Sequence, residues 1–166
     1  MAPAITTKPG RKNILTERKL KGFHYKCHKT MRTIKFRGRC EKESRYAGEW
    51  TEGSLVQCED GATLIVVAHS DNCTSTYHVD PETVCQFTGY VDKNGKEIYE
   101  GDVIHIGPVL CAVVWVESLG GFFLQEDCAK LPGVRPLGEM LRRYDHQVIG
   151  NIHDEQKGEV VCRKLS

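Results

Sequence analysis

Four acids within eleven residues, Asp92, Glu97, Glu100 and Asp102, form the densest candidate for chemistry in this 166-residue chain. Carboxylates buried together can divide the roles of general acid and base, and grouped carboxylate oxygens can hold a hard cation. The calcium reading fails on spacing. Counted from Asp92, the position that needs glycine is Glu97 and the position that needs a chelating acid is Val103. Asp92 instead reads as the cap of its own turn, and Glu100 and Asp102 as flanks of another, because short acidic side chains bond local backbone amides.

The other candidates are sparser. His24, Cys27 and His28 are the one close cluster of metal-type ligands, with the two imidazoles spaced as on one helical face. A zinc site wants four ligands, and no second cluster of ligand spacing completes it within the chain, so no metal or other cofactor is expected. No Gly-x-Ser-x-Gly elbow, Cys/His signature, Gly-x-Gly-x-x-Gly string or P-loop occurs. Gly120-Gly121 reads as a hairpin turn. Lys35, Arg37 and Arg39 alternate along one strand face and are the candidate nucleic-acid contacts. Phe36, Trp50, Tyr90, Tyr99, Trp115, Phe122 and Phe123 are available as base-stacking platforms. Most of those aromatics alternate with polar neighbours and are more simply core residues.

Charge divides the chain. Residues 1–30 carry eight Lys or Arg against one Glu, whereas residues 31–166 carry fifteen against twenty-one acids, so the net charge of +1 averages a basic leader and an acidic body. An acidic body repels phosphate, which weighs against nucleic acid as a partner. The leader lacks hydrophobic periodicity and is expected to be disordered; the change in composition at Met31 also marks that methionine as an alternative start. No run of about 18 apolar residues is present, so no membrane span is expected. Without the apolar core of a secretory signal the protein is expected in the cytoplasm, where the eight cysteines would stay reduced.

The elements that position these residues are short strands. Ile34 and Phe36 alternate with cations; Trp50 to Val56 is a second strand with Gly53 as a bulge or close-approach point; residues 63–67 form a continuous apolar strand. Ser70 to Thr76 reads as a polar loop, and Val84 to Thr88 as a strand. Asp92-Lys93-Asn94-Gly95 follows, with Asn-Gly supplying the two positive-φ positions of a type I′ hairpin turn. Glu100-Gly101-Asp102 is a second tight turn into Val103 to Ile106. Leu110 to Val116 and Phe122 to Gln125 make a hairpin, Pro132 and Pro136 interrupt regular structure, Leu137 to Tyr144 suits one or two helical turns, and Gln147 to His153 is a last strand. The fold expected is mainly β: an antiparallel meander forming a small SH3-like barrel with additional N-terminal strands and little helix.

Five stretches, MRTIKFRGRC at 31–40, GEWTEGSLV at 48–56, HVDPETVCQFTGYVDKNGKEIYEGDVIHI at 78–106, VVWVESLGGFFL at 113–124 and VIGNIHD at 148–154, resemble the YopX family of phage and prophage proteins. The resemblance covers residues 31–154 and leaves a basic leader at 1–30 and a charged tail at 155–166. It implies a phage or prophage setting and self-association into homo-oligomers, and it brings no catalytic residue or ligand. The function expected is therefore a non-enzymatic protein of the YopX type, acting through self-assembly and through binding a phage or host protein. The alternative is a nucleic-acid-binding small β-barrel using Lys35, Arg37 and Arg39. A hydrolase or metal enzyme built on the acidic turns is a third class.

Overall fold

The computed structural model describes residues 31–126 and 133–154. The basic leader with His24, Cys27 and His28, and the tail beyond residue 154, lie outside the described residues. Among the described residues eleven strands and one α-helix follow in order, besides two short 3-10 turns: β1 (Phe36–Arg39), β2 (Trp50–Gln57), β3 (Thr63–Ala68), β4 (Thr74–His78), β5 (Cys85–Val91), β6 (Glu97–Tyr99), β7 (Asp102–Ile106), β8 (Val109–Val116), β9 (Gly121–Glu126), β10 (Val134–Pro136), α1 (Leu137–Arg143) and β11 (His146–Asn151). The mainly-β, antiparallel expectation with little helix holds.

The expected barrel closure does not. The strands divide into a six-stranded sheet, ordered β4-β3-β2-β1-β5-β6, and a five-stranded sheet, ordered β10-β9-β8-β7-β11. An isolated bridge between Cys40 and Val79 ties the end of β1 to the chain just after β4, so the first sheet curls back on itself and stops short of a barrel. Two glycines allow that curl. A Cβ on Gly38 would meet the Val79 side chain at 3.1 Å, and one on Gly53 would meet the Val66 carbonyl oxygen at 2.3 Å. Gly53 pairs with Phe36 in unbroken register, so it is a close-approach point and no bulge.

Two cores form. In the second sheet Ile104, Ile106, Cys111, Val113, Leu124 and Val148 pack with Leu137 of α1, and Ile98 of β6 joins them. Its neighbour Tyr99 points the other way, against Cys85 and Phe87, with Trp50 at the margin. Successive strand residues face opposite sides, so three residues of β6 serve both cores.

Two local expectations change. The stretch 70–76 is a loop only as far as Cys73; Thr74 opens β4, because a polar, β-branched edge strand lacks the hydrophobic alternation that betrays a buried one. At the Asp92 turn, Gly95 has φ +81°, but Asn94 is not in the left-handed region, so the turn is not type I′. The Asp92 carboxylate accepts the N–H groups of Asn94 (2.8 Å) and Lys96 (2.9 Å). That wraps the backbone right-handedly and leaves glycine alone to close the loop, as in a type I turn with a glycine bulge.

The same carboxylate reaches beyond its turn to accept the N–H of Val148 in β11 (3.1 Å). Burial acts to raise the Asp92 pKa, but these three donors hold it below the ordinary range. Asp92→Ala strands all three and is expected to cost roughly 2 kcal/mol in urea unfolding at neutral pH. A depressed folded pKa stabilises above the unfolded value and is lost as pH falls through the folded one. The gap between wild type and variant should therefore close below about pH 4.

Candidate functional site

The cations of β1 lie along the joint between the two sheets. Alternation sends Lys35, Arg37 and Arg39 to one face, and aromatic rings interleave with them. The Arg37 guanidinium carbon is 4.4 Å from the centre of the Tyr99 ring and 4.7 Å from that of Trp50. The Arg39 guanidinium carbon lies 5.1 Å from the Trp50 ring centre as well, and the Lys35 ammonium 5.4 Å from that of Phe87. Cation–π attraction of this kind strengthens as water is excluded.

Each cation also has a carboxylate. Lys35 pairs with Glu97 at 2.5 Å and with Glu52 at 3.3 Å. Burial works against its charge, yet the two acids outweigh it and raise its pKa, while Glu97 is lowered in turn. Arg39 holds Asp154 at 2.9 Å. Arg37 pairs with Asp102, whose residue is 1% exposed. Asp102 also accepts the Tyr99 N–H at 2.8 Å and the Asn151 amide at 3.2 Å. Burial pushes its pKa up, and these donors and the guanidinium pull against that rise. The Nε atoms of Arg37 and Arg39 are buried without a hydrogen-bond partner among the described residues.

The structure therefore brings together the three cations singled out in the sequence and scatters the four acids. Asp92 holds its turn and β11, Glu97 holds Lys35, and Asp102 holds Arg37. Glu100 stands apart, its pKa raised by burial. Sequence reasoning missed Asp154 and Asn151, which complete the joint with Trp50, an aromatic it had named only as a possible stacking platform. Asp154 lies 115 positions from its arginine, a separation that no local pattern reports.

Beyond Arg39 the joint opens into a groove of about 770 Å³ whose lining includes Lys42, Pro81, Glu82, Thr83 and His153. Burial and the nearby Arg39 charge lower the His153 pKa and favour its neutral form. Among the described residues no three His, Cys, Asp or Glu side chains converge to hold a metal ion. Cys85, beside Arg37 and Asp102, is a protonated thiol at neutral pH, since burial pushes its pKa up to about 11 against the pull of the arginine.

Removing one member of a buried ion pair leaves the other uncompensated, at a cost of about 3–5 kcal/mol. Arg37→Met and Asp102→Asn are each expected to destabilise on that scale in chemical unfolding. The double variant should lose clearly less than their sum; strict additivity would show that the pair is not coupled.

The comparisons bear on lineage. No curated protein matches the chain. Among solved structures, the crystal structure of protein EF1440 from Enterococcus faecalis is similar, at 22% identity and a TM-score of 0.45, over 79% of this chain and 99% of that one. The family model described as YopX protein matches residues 35–157, a span that runs from Lys35 past the Asp154 carboxylate that Arg39 holds, and the chain belongs to the YopX family.

Proposed function

We propose that this chain is a phage- or prophage-encoded protein that works in the cytoplasm without catalysing a reaction, by assembling with copies of itself and by binding a phage or host protein. The observation that carries the assembly is the end of the β8–β9 hairpin. Trp115 is 45% exposed there while stacking edge-on against Phe122 at 5.1 Å, and Leu119 in the connecting turn is 59% exposed. Tryptophan and its apolar neighbours on one projecting tip cost solvation when free and regain it when covered by a partner surface.

A binding role also fits the use to which the reactive side chains are put. Asp92, Glu97 and Asp102 satisfy backbone donors or cations, and Cys85 is a buried, protonated thiol. The uncrosslinked thiols of Cys40, Cys58, Cys73 and Cys85 suit a reducing compartment. No described helix is long and apolar enough to cross a membrane. The rival reading, a nucleic-acid-binding small β-barrel, must strip Lys35, Arg37 and Arg39 of Glu97, Asp102 and Asp154 before any of them can meet a phosphate.

Sedimentation velocity over a concentration series should show species larger than the monomer, and Leu119→Glu should weaken the association roughly tenfold or more. A strict monomer at every concentration would overturn the assembly. In fluorescence anisotropy at low salt, labelled single- and double-stranded DNA and RNA should show no saturable binding. Saturable binding lost on Lys35→Glu would favour the rival.

A further inference from the structure

The open edge of the first sheet lies at β4, and its backbone is arranged to receive another strand. Antiparallel pairs alternate between those that exchange hydrogen bonds and those that turn their polar groups away. Val79 donates to the Thr63 carbonyl at 3.0 Å and His69 to that of Cys73 at 2.8 Å, and both contacts continue the β3–β4 ladder. In that register Ser75 and Tyr77 bond to β3, while Thr74, Thr76 and His78 direct their N–H and C=O groups outward.

The chain itself uses the far end of this edge. Glu41 donates to the His78 carbonyl at 3.1 Å, and Asp80 donates to that of Arg39 at 2.9 Å, so residues 39–41 run beside 78–80 as an added strand would. At Glu41 the chain turns away, with Ser44 bonding back to the Glu41 carbonyl. The strand position beside Thr76 and Thr74 is left as a groove of about 670 Å³ between the 43–46 loop and residues 75–78.

The remaining sheet edges are guarded. β10 has three residues, among them Arg135 and Pro136; β6 also has three, one of them charged; and the ladder of β11 is broken between Val148 and Gly150. Short edges, charges, prolines and bulges all discourage strand addition. β4, Thr-Ser-Thr-Tyr-His, has five residues and none of these devices.

We propose that the β4 edge and its groove bind an extended, basic peptide segment of another protein by β-strand addition. Thr74 and Thr76 would supply main-chain hydrogen bonds to it. The Tyr46–Tyr77 pair, with ring centres 5.6 Å apart, links the 43–46 loop to β4 as an aromatic contact, and Glu41 and Glu43 give the groove lining a negative balance over Arg45. Main-chain pairing supplies the affinity in this mode, and side-chain pockets select the sequence. The site gives the binding half of the proposed function a location, and it is separate from the β8–β9 tip assigned to self-assembly.

The test uses the full chain labelled with ¹⁵N and an end-blocked heptapeptide of alternating valine and lysine. Titration should shift the amide resonances of Thr74, Thr76 and His78 and slow hydrogen exchange at Thr74 and Thr76. The valine–glutamate counterpart should bind roughly tenfold more weakly or worse, and peptides N-methylated at alternate residues should lose binding in one of the two phases. Thr76→Pro removes an outward N–H without touching the β3 ladder, so it should abolish binding while the other amide resonances keep their positions. Glu43→Lys, at an exposed site, should weaken the lysine peptide and spare the fold. Shifts confined to other surfaces, or equal binding of both peptides, would overturn the proposal. So would β4 amides already protected in the free protein and exposed on dilution, since a second copy would then hold the edge. Leu119→Glu should leave the titration unchanged, which keeps failure of self-assembly distinct from failure of this site.

Discussion

The architecture depends on one charged contact, the Arg37–Asp102 pair at the place where the chain leaves one sheet for the other. Tyr99 ends β6 in the first sheet and Asp102 opens β7 in the second, with only Glu100 and Gly101 between them. Asp102 accepts from the Tyr99 backbone behind it, from Arg37 across the joint and from Asn151 on β11. Charges buried in this way rarely add stability over well-packed hydrocarbon, but they tolerate only one arrangement of their surroundings. Hydrophobic faces can slide by a residue or two and still bury area, whereas a carboxylate with three assigned donors cannot. The joint has little room to shift for a second reason. Gly101 adopts φ +74°, and a Cβ there would stand 3.1 Å from the Asn151 amide nitrogen.

This arrangement also puts four acids of the body to use. Three cations on a four-residue strand and its flank would be costly side by side in a sheet centre, and β1 lies there, between β2 and β5. Glu52, Glu97, Asp102 and Asp154 each come from a different part of the chain to meet them, and the rings of Trp50, Phe87 and Tyr99 add cation–π contacts. The positive stripe drawn by alternation in β1 is real along the strand. In three dimensions it is neutralised residue by residue.

What could be read from the chain follows the range of the interactions. Most strands, the turn positions and helix α1 were legible because period-two alternation and turn residues act within a few positions: Phe36, residues 63–67, Gly120-Gly121 and Leu137 to Tyr144 all fell where their neighbours implied. The part played by Asp92 in its own turn was legible for the same reason, and its reach to Val148 was not. β4 escaped because an exposed edge strand has no buried face to announce it. Barrel closure was misjudged because it depends on which strands end up adjacent, and the Cys40–Val79 bridge spans residues with no local relation. The pairing of Arg39 with Asp154 was hidden in the same way.

The two-faced strand β6 constrains how such proteins can vary. Ile98 belongs to one core and Tyr99 to the other, and neither side chain could take the other's place: an isoleucine cannot reach Glu97 with a hydroxyl, and a tyrosine would overfill the aliphatic cluster. One residue gained or lost between Lys96 and Asp102 would exchange the two faces and misplace both cores at once. Homologous chains should therefore keep this interval at constant length and take up insertions elsewhere, as in the 69–73 turn, whose residues 69 and 71–73 are exposed and feed no shared strand.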